Sequence, residues 1–336
     1  MKKFEHGGNI ESFAKKANCK VKEVIDLSSN INFLKPKLDI DFNGLNISSY
    51  PNYDKLYKAI SNHYNVLKGQ IELYNGGSSA IFKLFENLNL KHCTIYSPAY
   101  LEYKKAAQNF GYKIDLINRF TEIKKEVKKG SFVIFVNPST PDAKCYNVNK
   151  LLKSWIEREC TILIDESFLE FTDLQSTTKY IKEYDKLYIL KSMTKFYSSA
   201  GIRVGTVISS KENIKRLKQK EPMWKISTFD MNYLIEVLKY KSFYKKSKKK
   251  NKENLELLIT TLKEYSFIKK IYKSEANYVL IKLKNLDAKQ LQEKLIPYKI
   301  MIRDCSNFDF LDSSFVRVAV KNKASIKALK NALDRI

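Results

Sequence analysis

A lysine in the middle of the chain has the neighbours that amine chemistry requires. Lys195 lies in the run SMTKFYSSAGIR, between two apolar segments. Hydroxyl groups stand near it at Ser192 and Thr194, and a guanidinium follows at Arg203. A lysine in such a setting can form a covalent Schiff base with a carbonyl compound. The ordinary interpretation is a solvated surface charge, because the chain has 61 Lys and Arg residues.

Two other polar features complete a possible constellation. Asp165 ends the apolar run TILID, where a buried carboxylate needs a cationic partner. Gly76, Gly77 and Ser78 open a helical pattern, and free N–H groups at a helix start attract anions. These glycines match neither a dinucleotide fingerprint nor a nucleotide P-loop. A lysine, a buried acid, hydroxyls, an arginine and an anion site are together what pyridoxal 5'-phosphate requires.

The elements that would position these groups alternate along the chain. Helical segments such as LEYKKAAQNFG separate several of six apolar or β-branched runs, which begin at Cys93, Lys113, Ser131, Thr161, Leu187 and Val204. This alternation predicts an α/β fold with a mostly parallel sheet covered by helices on both faces. In such folds ligands bind at the carboxyl ends of the strands, where these polar residues fall.

The C-terminal third has a different pattern. Three further strand candidates begin at Asn277, Lys299 and Phe315, and an amphipathic helix, ASIKALKNALDRI, closes the chain. A chain of 336 residues is long enough for two cores. We expect a large cofactor-binding domain over residues 41–230 and a smaller α+β domain over 231–336. Residues 1–40 would form an arm that packs with the small domain.

Composition limits the class of protein. A net charge of +25 suits nucleic acid, but the densest basic run, YKKSKKKNKEN, fits an exposed helix face, so nucleic-acid binding is only a distant alternative. Five scattered cysteines without a CxxC pair predict reduced thiols. No signal peptide or membrane span is expected, which favours a cytoplasmic protein. The three histidines have no ligand-like spacing, and no metal site is expected.

Four motifs resemble the fold-type I pyridoxal-phosphate enzymes of the class I/II aminotransferase superfamily. They are Asn137-Pro138-x-x-Pro141, Asp165-Glu166, Ser192-x-Thr194-Lys195 and Gly201-x-Arg203. The likeness runs nearly end to end and includes histidinol-phosphate aminotransferase. The chain is more similar still to threonine-phosphate decarboxylase, through HGGNI, the SSNIN loop, KSMTKFY and IMIRDCSNFDFLDSSFVRVAV. The resemblance implies bound pyridoxal 5'-phosphate and a homodimer.

The resemblance also implies the contacts of the cofactor. Lys195 would hold the cofactor covalently and shuttle a proton, Asp165 would pair with the pyridine nitrogen, and Tyr100 would stack on the ring. Tyr50 would reach the phosphate in the neighbouring subunit's site. The other contacts would come from Gly77, Ser78, Asn137, Thr140, Phe168, Ser192, Thr194 and Arg203.

Substrate contacts follow in the same way. Arg317 would bind a carboxylate and Arg303 a phosphate, since a guanidinium forks onto either group. Without the resemblance, a surface ion pair would be an equally good interpretation of these arginines. His6, Asn30 and Asn32 would complete the substrate pocket.

The chain departs from the family pattern at three places. Ser139 and Thr140 replace the usual pair of asparagines, of which the second donates to the phenolic oxygen of the cofactor. Phe168 replaces a tyrosine of many aminotransferases, as it does in the decarboxylase. Asp142-Ala143 replaces the glycine that usually follows the proline motif. Fewer donors should leave the Schiff-base nitrogen more basic, and the loop geometry is an open question.

The resemblance at both termini favours decarboxylation. The expected substrate is L-threonine O-phosphate or L-serine O-phosphate, giving aminopropanol phosphate or ethanolamine phosphate. The first product would point to cobalamin biosynthesis, and the second to cobalamin variants or surface glycans. The alternative is an aminotransferase acting on a phosphorylated substrate such as histidinol phosphate. One methyl group separates the two phosphoamino acids, and no residue in the sequence visibly selects between them.

Overall fold

The fold comes from a computed structural model that describes residues 7–336. The α-helices in this part of the chain are α1 (Ile10–Lys16), α2 (Asp54–Tyr64), α3 (Gly76–Leu88), α4 (Leu101–Asn109), α5 (Asn149–Glu157), α6 (Lys211–Lys218), α7 (Thr228–Lys239), α8 (Lys241–Lys263), α9 (Ala288–Leu295) and α10 (Lys323–Leu333).

The strands form three sheets. They are β1 (Ile25–Asp26), β2 (Ile71–Tyr74), β3 (His92–Ser97), β4 (Lys113–Asn118), β5 (Phe132–Val136), β6 (Thr161–Asp165), β7 (Leu187–Lys191), β8 (Gly205–Ile208), β9 (Ile268–Ile271), β10 (Tyr278–Leu283), β11 (Ile300–Met301), β12 (Arg303–Asp304) and β13 (Phe315–Ala319).

The large sheet has seven strands in the order β2-β8-β7-β6-β5-β3-β4. Strands β4, β3, β5, β6 and β7 pair in parallel, and β8 is antiparallel to both β7 and β2. Every residue of β5 and β7 is buried, as strands covered on both faces require. The predicted α/β class with a mostly parallel sheet is confirmed.

Helices cover both faces of this sheet. Successive residues of β5 point to opposite faces because the side-chain period of a strand is two. Ile134 packs in one cluster with Leu84 of α3 and Ala106 of α4, whereas Phe135 packs in another with Trp155 of α5. The two cores hold the central strands in place, so the carboxyl ends of β5, β6 and β7 are rigid supports for the loops that follow.

A four-stranded antiparallel sheet, in the order β12-β13-β10-β9, forms the C-terminal part. The arm attaches to this part through β1, which pairs in parallel with β11, with Ile25 opposite Ile300. Leu27 then packs in the same apolar cluster as Leu258 of α8 and Leu329 of α10. The limits of the three domains stay a prediction.

Several short elements were not predicted from the sequence. Helix α1 has only seven residues and begins where the Asn9 side chain accepts a hydrogen bond from Ser12 N at 3.1 Å. Strand β2 has a charge in the middle of four residues: Glu72 is buried and forms an ion pair with Lys225. The strand expected from Lys299 is interrupted at Ile302, which separates β11 from β12.

The basic run of α8 lies on an exposed face of the helix, as expected from the sequence. Lys245, Lys246 and Lys249 are exposed, whereas Phe243, Leu255, Leu258 and Leu262 of the same helix are buried. Within residues 7–336 no helix is both long enough and apolar enough to cross a membrane.

Candidate active site

The polar residues singled out in the sequence meet at one edge of the large sheet. The chain leaves β6 at Asp165 and β7 at Lys191, immediately before Ser192, and these parallel strands are neighbours. Strand β8 runs in the opposite direction, so Arg203, two residues before its start, lies at the same edge. The start of α3 at Gly76 follows the carboxyl end of β2 there.

Lys195 lies in the turn after β7 and is half-buried. Its Nζ donates to Ser192 Oγ at 3.3 Å, and the Oγ atoms of Ser192 and Thr194 are 3.1 Å apart. The ammonium lies over the Phe168 ring, 5.2 Å from its centroid. Burial lowers the pKa of Lys195, the Asp165 carboxylate opposes that shift, and the positive charges of Arg203 and Arg317 add to it. A lysine in this setting loses its proton more readily than one at the surface.

Asp165 is buried, with 6% of its surface exposed, and its carboxylate has two protein partners. The Tyr103 hydroxyl of α4 donates to Oδ2 at 2.5 Å, and the Ser167 N–H donates to Oδ1 at 2.8 Å. Burial, and then the charge of Asp165, raise the pKa of Tyr103 well above its ordinary value. The tyrosine therefore stays protonated and acts as a donor, fixing the plane of the carboxylate.

An anion cradle forms where α3 begins. Gly76 has φ +83°, and a Cβ there would collide with the Arg203 guanidinium, which lies across the helix start. A Cβ at Gly77 would touch the Ser192 side chain at 3.6 Å. Ser78 Oγ is 3.1 Å from the Tyr100 hydroxyl. The N–H groups of the first turn, hydroxyls and a guanidinium thus converge on one small space, which suits a phosphate.

Arg303 and Arg317 are direct cross-strand partners on β12 and β13. Both are largely buried, with 9% and 7% exposed. Arg317 donates from Nη1 to Thr140 Oγ1 at 3.3 Å and from Nη2 to Ser28 O at 3.0 Å. Its Nε is buried and has no hydrogen-bond partner among the described residues. Arg303 donates from Nη2 to Asn307 Oδ1 at 2.9 Å.

A cavity of about 320 Å³ joins these groups. Most of the residues chosen from the sequence line it, namely Asn30, Gly77, Ser78, Tyr100, Thr140, Asp165, Phe168, Ser192, Thr194, Lys195, Arg203, Arg303 and Arg317. The cavity therefore brings a lysine amine, a buried carboxylate, an anion cradle and two guanidinium groups to one volume.

Two predicted contacts lie elsewhere. Asn32 is buried and its side chain is used locally: Nδ2 donates to Phe196 O at 2.7 Å and to Ser247 Oγ at 3.1 Å. Asn137 exchanges two hydrogen bonds with the backbone of Tyr146, at 3.0 and 2.9 Å. Neither residue lines the cavity. Their amides bind other loops of the chain, and the expected contacts of Asn32 with substrate and of Asn137 with cofactor stay predictions.

Tyr50, a third predicted contact, does not line the cavity of this chain. Tyr50 is 73% exposed and stacks on Trp224, with ring centroids 4.0 Å apart. It belongs to a separate surface pocket that also includes Asn75 and Ser79 at the start of α3. His6 lies outside the described residues.

Comparison with known families decides the class. A model of the family described as aminotransferase class I and II matches residues 22–336. The chain belongs to this family. As a fold-type I member of the class I/II aminotransferase superfamily, it uses pyridoxal 5'-phosphate as its cofactor.

Similar proteins within this aminotransferase family are named for different activities. The chain is 30% identical, over 99% of its length, to a provisionally named threonine-phosphate decarboxylase from Caldanaerobacter subterraneus subsp. tengcongensis, 94% of which is covered. It is 29% identical over 99% of its length to the Leptospira interrogans adenosylcobalamin biosynthesis bifunctional protein CobDQ, and spans 41% of that longer relative. The solved histidinol-phosphate aminotransferase from Clostridium acetobutylicum has a TM-score of 0.81 at 32% identity, covering 93% of this chain and 99% of that one.

The donor set of the cavity fits the family's cofactor. Pyridoxal 5'-phosphate has an aldehyde, a ring nitrogen and a phosphate, and the cavity offers an amine at Lys195, a carboxylate at Asp165 and the cradle at Gly76. The glycine at position 76 is required, because a Cβ would occupy the space in which the Arg203 guanidinium lies. The residues present are therefore suited to hold the group.

Three contributors to the site were missed in the sequence. Tyr103 has the clearest signal: it follows Tyr100 by three residues on the buried side of α4, and a buried tyrosine hydroxyl needs a partner. Ser28 contributes a carbonyl to Arg317, and Phe308 lies under the Arg303 guanidinium at 5.5 Å. The last two contacts depend on tertiary packing that no local pattern indicates.

Proposed function

We propose that the chain is a pyridoxal-phosphate-dependent decarboxylase of an O-phospho-L-amino acid, either phosphothreonine or phosphoserine. The observation that carries the proposal is the facing pair Arg303 and Arg317, buried in the same cavity as Lys195 and Asp165. A guanidinium binds a carboxylate or a phosphate through paired hydrogen bonds, so a small molecule that carries both anions can bind both arginines at once.

The arginines differ in a way that suits two anions. Arg317 is fixed by Thr140 and Ser28, and its positive charge acts on Lys195, whose pKa it helps to lower. Arg303 is held by Asn307 on the side next to Gly7, whose Cβ position would lie 3.1 Å from Arg303 Cδ. We assign the carboxylate to Arg317 and the phosphate to Arg303.

The protein groups around the cofactor have separable roles. Bound pyridoxal 5'-phosphate supplies the electron sink that stabilises negative charge at the substrate's α-carbon. Lys195 is the attachment point, and its lowered pKa suits an amine that later returns a proton to the α-carbon. Asp165, oriented by Tyr103, keeps the ring nitrogen protonated. The cradle formed by Gly77, Ser78, Ser192, Thr194 and Arg203 binds the phosphate of the cofactor.

The remaining contacts shape the cavity around the ring. Tyr100 covers one face of the ring, and the Thr140 hydroxyl, which already accepts from Arg317, has its own O–H to donate to the ring oxygen. Phe168 offers no donor at its position. Fewer donors than in the usual family pattern support a more basic nitrogen at Lys195.

Decarboxylation has support from the relative provisionally named threonine-phosphate decarboxylase. Its identity of 30% extends over 99% of this chain. The cavity of about 320 Å³ is compact for the cofactor ring and a substrate together, which favours a phosphoamino acid over a substrate with an additional imidazole.

The similarity to the solved histidinol-phosphate aminotransferase from Clostridium acetobutylicum supports a second candidate function. A transaminase of a phosphorylated amine would use the same lysine and aspartate. Its acceptor, 2-oxoglutarate, also carries two anions that could bind Arg303 and Arg317. The two candidates differ in whether the reaction needs an acceptor.

We further propose that the working form is a homodimer. Phe42, Ile47, Tyr50 and Trp224 are all at least half exposed, and this apolar area lines one surface pocket, as protein interaction sites often do. The pocket beside this area contacts Asn75 and Ser79, immediately next to the cradle. A second copy packed there would bring its Tyr50 toward the phosphate end of the site.

One incubation separates these candidates. Purified holoenzyme is mixed with phosphothreonine, phosphoserine or histidinol phosphate, with and without 2-oxoglutarate. Release of carbon dioxide from a phosphoamino acid without acceptor supports the decarboxylase. Glutamate formation that requires 2-oxoglutarate overturns it in favour of the transaminase. Lys195→Ala should abolish both turnover and the cofactor absorbance, and wild-type turnover in this variant would refute the role of Lys195.

A further inference from the structure

A second, larger concavity lies on another face of the large domain. It has a volume of about 1120 Å³ and shares no lining residue with the catalytic cavity. Helix α2 forms one wall, the α7–α8 corner forms the opposite wall, and the segment after β6 closes the base. We call it the basic groove.

Positive charge dominates the basic groove. Seven lysines line it, against the two acids Glu170 and Asp173. Three of the lysines have acidic partners: Lys191 with Glu166, Lys239 with Glu236, and Lys248 with Asp173. The other four make no ion pair within residues 7–336, and they are Lys55, Lys58, Lys241 and Lys245. The first two are on α2 and the last two on α8, so two separate helices bring unpaired cations to one concavity.

The floor of the basic groove is built from fixed polar groups. Lys191 is 2% exposed, and its Nζ lies 2.5 Å from Glu166 Oε2 and 4.6 Å from the centroid of the Tyr64 ring. His63 Nε2 is 3.4 Å from Glu170 Oε1. Burial raises the pKa of Glu170, but the contact with His63, the charge of Lys191 and a hydrogen bond from Tyr244 together lower it below its ordinary value. Tyr244 lies beside them. A concavity with this floor is organised before any ligand arrives.

We propose that the basic groove binds a small molecule that carries several phosphate charges. Lysine is a compact point charge suited to phosphate, and four uncompensated lysines call for an anion of about three or four charges. At about 1120 Å³ the groove is slightly larger than the pockets in which proteins usually enclose small molecules, about 300 to 1,000 Å³, so it has room for such a ligand. The exposed ring of Tyr240 at the α8 end offers a stacking surface for a nucleotide base.

The proposed ligand differs from the proposed substrate. A phosphoamino acid would neutralise half of the four lysines and fill a small part of a volume more than three times that of the catalytic cavity. The inference rests on residues that the reaction does not use, so it stands or falls independently of the decarboxylase proposal.

The test is calorimetric titration of holoenzyme in a phosphate-free buffer with tripolyphosphate, ATP, orthophosphate and citrate. We expect one tripolyphosphate or ATP per chain, at least about tenfold tighter than orthophosphate or citrate. If ATP binds more tightly than tripolyphosphate, the base contributes to recognition. If the two bind equally, the phosphate chain alone is sufficient. Citrate that binds as tightly as tripolyphosphate would overturn the phosphate class.

Matched charge reversals locate the site. The double variant Lys58→Glu, Lys245→Glu should weaken tripolyphosphate binding at least about tenfold while leaving turnover of the phosphoamino acid unchanged. The control, Lys284→Glu with Lys289→Glu, changes the net charge equally at exposed lysines outside the groove and should bind as wild type does. If both double variants lose tripolyphosphate affinity equally, or if the Lys58→Glu, Lys245→Glu variant loses none, the proposed site is refuted. Retained binding by Lys195→Ala would separate it from the catalytic cavity, and lost binding there would refute it.

Discussion

The Asp165 carboxylate already accepts two hydrogen bonds from the protein, from the Tyr103 hydroxyl and the Ser167 amide. These two donors hold the carboxylate in one orientation at the wall of the cavity. Tyr103 itself does not line the cavity, so it acts through Asp165 as a positioning residue. At the scale of single residues, the strength with which the cofactor ring is held depends on this contact.

Replacing Tyr103 by Phe removes one donor from a buried carboxylate and changes little else. A hydrogen bond to a charged group contributes about 1.5 to 3 kcal/mol, so we expect cofactor affinity to fall by roughly 10- to 100-fold. Fluorescence titration of cofactor-free protein with pyridoxal 5'-phosphate measures this. Tyr112→Phe is the control, because it removes a hydroxyl that donates to Phe85 O away from the cavity. Equal affinities for both variants would contradict the positioning role.

The pKa of Lys195 makes stability depend on pH. Burial lowers this pKa, so between the lowered value and the ordinary value of about 10.4 the unfolded chain holds a proton that the folded chain has lost. Stability contributed by this residue therefore rises as pH rises through that window. We expect cofactor-free wild type to gain free energy of unfolding relative to Lys195→Met between about pH 7 and about pH 10. Urea titrations of both proteins across this pH range measure the change. If the difference in their free energies of unfolding stays constant with pH, folding does not lower the pKa of Lys195.

At the scale of elements, the start of α3 depends on two glycines that lie close together. A Cβ at Gly205 of β8 would come within 2.5 Å of the Gly76 carbonyl carbon, and a Cβ at Gly76 would meet the Arg203 guanidinium. The helix start can approach the sheet only because both positions lack a side chain. This close packing places the cradle next to Ser192.

Gly76→Ala should damage the cradle more than the fold. The methyl group displaces Arg203, and we expect cofactor affinity to fall at least about tenfold. Gly111→Ala is a matched control, since Gly111 also has a positive φ but has open space around its Cβ position. It should cost about 1 kcal/mol of stability and leave cofactor affinity unchanged. Cofactor titration and thermal unfolding of both variants distinguish strain from displacement.

The loop after β5 joins the two parts of the molecule. Tyr278 of β10 donates to Ser139 O at 2.8 Å, and the Glu275 amide donates to Ala143 O at 2.9 Å. Asp142 holds the loop from inside by accepting from Ser139 Oγ at 2.5 Å. Burial raises the pKa of Asp142, and the charge of the buried Arg119 opposes that shift. The aspartate in place of the family's glycine therefore has a structural explanation.

Asp142→Asn should destabilise the protein by about 1 to 3 kcal/mol, because it removes a carboxylate whose charge opposes the effect of burial on Arg119 and weakens the hydrogen bond from Ser139. Asp173→Asn is the matched control: its side chain is 89% exposed beside Lys248, and its loss should change stability by less than about 0.5 kcal/mol. Denaturant unfolding of both variants measures the difference. Similar values would mean that Asp142 is not a support of the loop.

At the scale of the whole molecule, exposed apolar residues and net charge have different distributions. The area around Tyr50 and Trp224 is apolar, whereas the basic groove carries unpaired lysines. The first area suits a second copy of the chain, because like-charged subunits can approach through an uncharged face. The second suits a soluble anion.

Trp224→Glu should therefore split the proposed dimer. A charge in the apolar area opposes burial, and we expect a monomer by sedimentation, with weaker cofactor binding because the partner's Tyr50 is lost. Leu257→Glu on α8 is the control, as a similarly exposed apolar residue outside the area. A dimer that survives the tryptophan change would place the subunit contact elsewhere.

Site residues could be predicted from the sequence where the end of a strand determines their position. They could not be predicted where the direction of the side chain decides whether the residue reaches the cavity. Lys195, Asp165 and Arg203 could be grouped because parallel strands end at one edge. Asn32 and Asn137 have the right residue type in the right loops, but their amides bind nearby backbone groups, and only coordinates reveal which way they point. Strands β2 and β9 are four residues each, too short for periodicity to separate from a turn.

The facing arginines also determine what the enzyme should refuse. Free threonine or serine has the same carboxylate and amine as the proposed substrates but lacks the phosphate. Under the proposed assignment it would forgo the phosphate contact of Arg303, whose guanidinium lies largely buried opposite Arg317. A site built to bind a substrate group through hydrogen bonds rejects an analogue without that group far more strongly than a missing methyl group does. Selectivity against the unphosphorylated amino acids would thus come from a binding contact that they cannot make.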